Sequence, residues 1–213
     1  MSSVAVEPRY TPEQYLKLER AAPYKSEFID GRMYALAGAS REHSLIVFNL
    51  AGELHPQLHG RPCEAYATDM RVKCQMTTGY LYPDLVVVCG EPQFEDQELD
   101  TLLNPTVIIE VLSPSTEAGD RGYKFAHYRR IPSLQEYVMI AQDRVHVERA
   151  ERRGDGWFLT ELEHLEDVLT LSSIGCAIPL RAIYEKVPLS DESAYGLRPR
   201  TVDDRSRREG EHE

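Results

Sequence analysis

Two acids stand inside apolar runs that read as buried strands. In "VIIEVLS" Glu110 interrupts Val107, Ile108, Ile109, Val111 and Leu112, and in "LYPDLVVV" Asp84 opens the run directly after Pro83. An ionised carboxylate is costly to bury unless it is paired or bound to a metal. Runs this apolar suit central strands covered on both faces by helices. Whatever fold the chain adopts must therefore bring Glu110 a compensating partner. The segment between the two acids has room for one loop and a return to the neighbouring strand. Side by side, the two strands would carry both carboxylates to one end of a sheet. Carboxylates that close raise each other's pKa unless a cation lies between them. Hard oxygen donors suit magnesium, manganese or calcium.

The other segments supply the surroundings. "TPEQYLKLER" predicts a helix with Thr11 as N-cap, Pro12 in the first position and Gln14 at N3. "SEFIDGRMYALA" predicts a hairpin turning at Asp30-Gly31. "REHSLIVFNLAGELHPQLHG" predicts a helix with Leu45, Phe48, Asn49 and Gly52 near one stripe, ended by Pro56. Four strand candidates follow: "CEAYATDMRVKC", "YLYPDLVVVC", "PTVIIEVLS" and "LQEYVMIA". Between the last two, "GDRGYKFAHYRRIP" predicts a helix of about three turns, and "GEPQFEDQELDTLLN" an acidic surface loop. "RVHVERAERRGDGWFLTELE" predicts a second hairpin, and "DVLTLSSIGCAIPLRAIYEKV" a strand followed by a short helix or turn. The expected class is α+β (mixed α/β), a central mixed sheet flanked by helices with additional hairpins. One domain is expected over 1–187, with a polar tail over 188–213 expected to be disordered.

The formal net charge of −11 argues against a broad, nonspecific nucleic-acid surface but leaves room for a small basic patch. No apolar run approaches the roughly 18 residues of a membrane span, and no basic segment followed by an apolar one marks a signal peptide. The four cysteines form no CxxC pair, which speaks against zinc. Cys74 and Cys89 lie in apolar runs and read as reduced core residues, in keeping with a cytoplasmic protein.

Lys124 lies on the helix after Glu110, and that helix must pack back on the sheet. Its ammonium can reach the same edge and stabilise developing negative charge. Asp, Glu, Lys and a divalent metal make a physical recipe for phosphodiester hydrolysis. Arg121, three residues before Lys124, shares its helix face and is a candidate phosphate contact.

At this point the chain resembles the PD-(D/E)XK nuclease superfamily. The "PD" is Pro83-Asp84 and the second element is Glu110-Val111-Leu112, with leucine where the pattern has lysine; Lys124 is the candidate for a lysine moved to the following helix. More closely, it resembles the Uma-type (Uma-two) restriction endonuclease family. The matching pieces are "YKSEFIDGRMYALAGAS" with His43 after it, "YPDLVVV", "VIIEVLSPST", "DRGYKFAHYRR" and "LQEYVMI", in that order. The resemblance implies a restriction-endonuclease-like core and a metal-dependent endonuclease acting on nucleic acid, DNA first. It implies Mg2+ or Mn2+ held by Asp84 and Glu110, with Lys124 and Glu27 completing the catalytic set. It implies His43 on the substrate side, often a homodimer, and no membrane.

Each residue has a plainer reading as well. Glu110 could form a structural salt bridge with Lys124 or an arginine, and Asp84 could cap a strand after proline. Lys124 could be a solvated helix residue. Glu27 could bridge to Lys25 or Arg32 across its hairpin, and His43 could cap a helix. Asp69 reads as a strand-face charge, and Ser113 and Ser115 as turn formers. Two other functions compete: a nuclease-fold scaffold without catalysis, and a carboxylate-pair glycosidase.

Overall fold

Two short breaks divide the strands into two sheets. The computed structural model describes residues 9–113 and 116–189, so Ser115 and residues 190–213 of the tail lie outside the described residues. Helix α1 (Pro12–Ala21) begins with the capping box expected of Thr11 and Gln14. Strands β1 (Ser26–Ile29) and β2 (Arg32–Ala35) form the expected hairpin, with Asp30 and Gly31 both at positive φ, as a two-residue turn of this kind requires. Helix α2 (Arg41–Leu58) follows.

The stretch read as one strand at "CEAYATDMRVKC" is β3 (Cys63–Ala67) and β4 (Arg71–Cys74), and "YLYPDLVVVC" is β5 (Gly79–Leu81) and β6 (Leu85–Cys89). Thr68, in the left-handed region, breaks the first. Pro83, which has no N–H to give a ladder, breaks the second. At each break the chain passes from one sheet to the other. Thr68 N donates to Asp84 O at 2.9 Å, tying the two crossings together.

Strands β7 (Thr101–Leu102), β8 (Val107–Leu112), β9 (Glu136–Ala141), β10 (Val147–Arg153) and β11 (Gly156–Leu162) complete the sheets. One sheet has the order β2-β1-β5-β4-β7 and the other β11-β10-β9-β8-β6-β3. Both are mixed: β8 runs parallel to β9, β4 parallel to β7, and the remaining pairs are antiparallel. The parallel β8–β9 pair is joined by a helical crossover, α3 (Glu117–Gly119), a π-turn (Asp120–Lys124) and α4 (Phe125–Tyr128). Strands β12 (Val168–Leu171) and β13 (Cys176–Pro179) form a separate ladder ahead of α5 (Leu180–Ile183), where one strand was expected.

The central strands β6, β8 and β9 of the six-stranded sheet are buried on both faces, as their apolar sequences require, while the edge strands β3 and β11 are largely exposed. Leu85, Val87, Val107, Ile109 and Val111 pack against Ile46, Leu50 and Leu54 of α2 and against the β12–β13–α5 unit. Val86, Val88, Ile108 and Leu112 pack against Val72, Cys74 and Leu81 of the other sheet and against Tyr128 and Ile131. One face is thus covered chiefly by a second sheet, where helices were expected on both.

Three further expectations are corrected. Helix α2 runs through Pro56, which is exposed, and buries Ile46, Val47, Leu50, Leu54 and Leu58; Phe48 is 75 % exposed. The acidic link carries β7, and its Asp96 and Asp100 bind Arg20. Cys89 is not a reduced core thiol: it is disulfide-bonded to Cys63, because the β3–β6 register sets these two residues directly opposite each other with Cα atoms 4.0 Å apart. Cys74 is free and buried, as is Cys176.

Candidate active site

Strand register makes the site. In the antiparallel β6–β8 pair, Leu85 faces Ile109, so one step further along Asp84 comes opposite Glu110. By strand alternation Glu110 points to the same side as Ile108 and Leu112, towards the five-stranded sheet. From that sheet β1 presents Glu27, whose neighbour Phe28 turns the other way to pack on Tyr15 and Tyr80. The crossover helix closes the space with Asp120 and Lys124. Its π-turn carries both residues; such turns are rare and gather at functional sites.

Lys124 Nζ stands 3.0 Å from Glu27 Oε1, 3.0 Å from Asp120 Oδ1 and 3.4 Å from Glu110 Oε1. All four side chains are buried, with Glu27 and Glu110 each 2 % exposed and Lys124 7 %. Tyr82 N donates to Glu27 Oε1 at 3.3 Å, and Tyr128 OH donates to Glu110 Oε1 at 3.2 Å. Asp120 Oδ1 accepts no hydrogen bond, although it lies within ion-pair distance of Lys124.

Asp84 is held separately at the edge of this cluster. Its Oδ2 accepts from Val111 N at 2.7 Å, and its Oδ1 lies 2.8 Å from His43 Nε2. A carboxylate can only accept, so Nε2 carries the proton in this contact. His43 sits in the first turn of α2, where Ser40 Oγ caps its backbone N–H at 3.1 Å. The helix N-terminus adds its partial positive charge beside Asp84.

Charge in the site does not balance. Among the described residues one ammonium meets Glu27, Glu110 and Asp120, with Asp84 near enough to act on Glu110 as well. Burial holds the Glu110 carboxyl well above the usual carboxylate range. Lys124 opposes that shift, and Asp84, Asp120 and Glu27 add to it. Glu27 is raised too, by burial against the pull of Lys124. Lys124 itself is raised well above the ordinary lysine value, because the carboxylates of Glu110, Glu27 and Asp120 outweigh its burial. The ammonium therefore persists at any physiological pH.

This excess of carboxylate oxygens, in a site whose charge is incompletely neutralised, fits a hard divalent cation. Among the described residues no three His, Cys, Asp or Glu side chains are already arranged to hold a metal. Asp84 and Glu110 are the two that face each other across the strand pair.

The structure brings together Glu27, Asp84, Glu110 and Lys124, with His43 on Asp84. It does not bring Arg121 to them. Arg121 turns to Glu117 at 2.9 Å and contacts Glu148, which also binds His146. Glu27 pairs with Lys124, whereas Lys25 takes Asp69, and Glu110 makes the ion pair with Lys124 that its plainer reading expects. Asp120 was missed in the sequence. Its signal was the i, i+4 spacing to Lys124 on one helix face.

Residues 12–181 match the model of the Uma2 family, described as "Putative restriction endonuclease". Two uncharacterized proteins of Synechocystis sp. are similar over most of the chain. One, sll1609, is 41 % identical over 163 residues, 76 % of this chain and 92 % of its own. The other, slr1290, is 35 % identical over 177 residues, 83 % of this chain and 92 % of its own. A crystal structure from Anabaena variabilis, titled a "putative nuclease belonging to DUF820", superposes with a TM-score of 0.67 at 17 % identity. The match covers 82 % of this chain and 97 % of that one, and it carries the likeness of fold.

Proposed function

The chain belongs to the Uma2 family, and from that premise we propose that it is a metal-dependent endonuclease hydrolysing phosphodiester bonds in nucleic acid, DNA first. The observation that carries the reading is the meeting of Asp84 and Glu110 across β6 and β8 beside the buried Lys124. Asp84 and Glu110 would hold Mg2+ or Mn2+, which when bound supplies a polarised phosphate and a water of lowered pKa.

The protein's own groups do the rest. Lys124 meets the negative charge that develops on the phosphate, and its place is fixed by Glu27, Asp120 and Glu110. His43 and Val111 N fix both oxygens of Asp84, so His43 is a positioning residue in this reading. Tyr128 holds Glu110 from behind. The reading carries a homodimer as a further expectation of the sequence; the expected cytoplasmic setting loses the support of reduced cysteines with the Cys63–Cys89 bridge. No helix among the described residues is long and apolar enough to cross a membrane.

A catalytically silent scaffold on the same fold is the second reading, and what favours it is Leu112 in the place of the usual lysine. Cleavage of plasmid DNA and of RNA with manganese, by the parent and by Asp84→Ala, separates the two. A parent that cuts and a folded Asp84→Ala that does not support the enzyme. Equal cutting by both overturns the site, and a parent that cuts neither polymer favours the scaffold.

A further inference from the structure

One glycine in the crossover helix has no backbone reason to be there. Gly119 has φ −71° and ψ −48°, ordinary helical values open to every residue. Glycine is among the poorest helix formers; Gly122 on the same crossover has open space where a Cβ would stand, whereas Gly119 does not. A Cβ built on Gly119 would meet Tyr123 Cε1 at 2.6 Å, Cζ at 3.2 Å and Oη at 3.2 Å. The missing side chain is the seat of the Tyr123 ring. Yet that ring is 44 % exposed, so the seat presents an aromatic surface to solvent instead of burying it.

Tyr123 immediately precedes Lys124 on the π-turn. Its phenol feels the site: burial first, then the Glu27 carboxylate, push it up to about 12, with Asp120 and Glu110 adding. A seated, half-exposed aromatic ring therefore stands next in the chain to Lys124, beside a cluster with excess negative charge. In the reading above the cation and Lys124 would hold the scissile phosphate, and Arg121, committed to Glu117 and Glu148, adds no further contact. A contact for the neighbouring base must come from elsewhere on the crossover. Stacking of a base on an aromatic ring is that contact, and it accepts any base because every base has a π-face.

We propose that Tyr123 is a stacking platform for an unpaired base of the substrate strand next to the Lys124 centre. The substrate is then single-stranded, or carries an unstacked base, at the point of cleavage. This rests on the nuclease reading above.

The test is the affinity of the full chain for a short single-stranded oligothymidylate, with calcium as the divalent ion, for the parent, Tyr123→Phe, Tyr123→Ala and Gly119→Ala. A second set of oligonucleotides carries one abasic position, moved along the strand. Tyr123→Ala is expected to weaken binding about tenfold and Tyr123→Phe to retain it. Gly119→Ala, which improves helix propensity, is expected to keep the melting temperature while weakening binding by displacing the ring. One abasic position should weaken the parent by a similar factor and cost Tyr123→Ala nothing more, the signature of a direct pair. If the parent binds and Tyr123→Ala binds equally well, or if the abasic loss is the same in both, the platform is overturned and the nuclease reading stands. A parent that binds no single-stranded oligonucleotide overturns the platform as well, while cleavage of plasmid DNA by the same protein decides the nuclease reading separately.

Discussion

The ammonium of Lys124 stands 3.0 Å from the carboxylate of Glu27, and this pair joins the two sheets. Glu27 belongs to β1 of the five-stranded sheet, and Lys124 to the crossover between β8 and β9 of the six-stranded one. A buried pair of this kind is weak evidence for stability, since desolvation offsets much of the attraction. With Glu110 and Asp120 around the same nitrogen, three buried carboxylates share one ammonium.

Lys124→Met should be strongly destabilising. It leaves Glu27, Glu110 and Asp120 buried without their ammonium, and losing one partner of a buried pair costs about 3–5 kcal/mol. Urea unfolding at pH 8 reads the loss. The loss should shrink as the pH is lowered towards 5, because the orphaned carboxylates can then take up protons.

Glu110→Gln should abolish cleavage and stabilise the metal-free protein. The folded-state pKa of Glu110 is raised by burial. Between the ordinary carboxylate range and that raised value, the folded state therefore holds more protons than the unfolded one, and stability falls as pH rises. Glutamine removes that slope. Melting curves from pH 5 to 9 without divalent metal should show the variant gaining on the parent as pH increases. The gain should appear as a melting temperature of the variant that rises relative to the parent towards the alkaline end of the range.

His43→Ala should leave the fold intact and lower manganese affinity about 10- to 100-fold, the usual cost of losing a partner behind a metal ligand. Calorimetry reads the affinity and circular dichroism the fold. Unchanged affinity would remove His43 from its role of orienting Asp84.

The Cys63–Cys89 bridge should be visible as a thiol count and as stability. Denatured without reductant, the chain should show two titratable thiols, those of Cys74 and Cys176. Reduction, or Cys63→Ser with Cys89→Ser, should cost about 3–4 kcal/mol in urea unfolding, the loop-closure value for a sequence separation of 26.

The core of the site was legible in the sequence because burial makes charge conspicuous. Asp84 and Glu110 stand out in runs of Val, Ile and Leu, and pairing of adjacent strands is enough to bring them together. Lys124 followed from the need for a cation on the crossover. Asp120 did not stand out, because an acid near a helix start reads as ordinary N-terminal charge. The π-turn that aims it has no local signature. The contact of His43 with Asp84 depends on the angle at which α2 meets β6, which is a tertiary quantity. The two-sheet architecture was hidden because Thr68 and Pro83 interrupt otherwise continuous strand patterns, and alternation alone does not say which sheet a strand joins. The run of α2 through Pro56 and its burial of Ile46, Leu50 and Leu54, with Phe48 left exposed, were likewise decided by packing on β6 and β8.

In the proposed function Asp84 and Glu110 hold a divalent metal ion beside Lys124. Calorimetric titration of manganese into the parent and into Glu110→Gln, each alone and with a noncleavable oligonucleotide, decides whether they do. Saturable binding in the parent that is lost in Glu110→Gln is expected. Equal binding by both proteins, or no binding by the parent even with the oligonucleotide present, would contradict it.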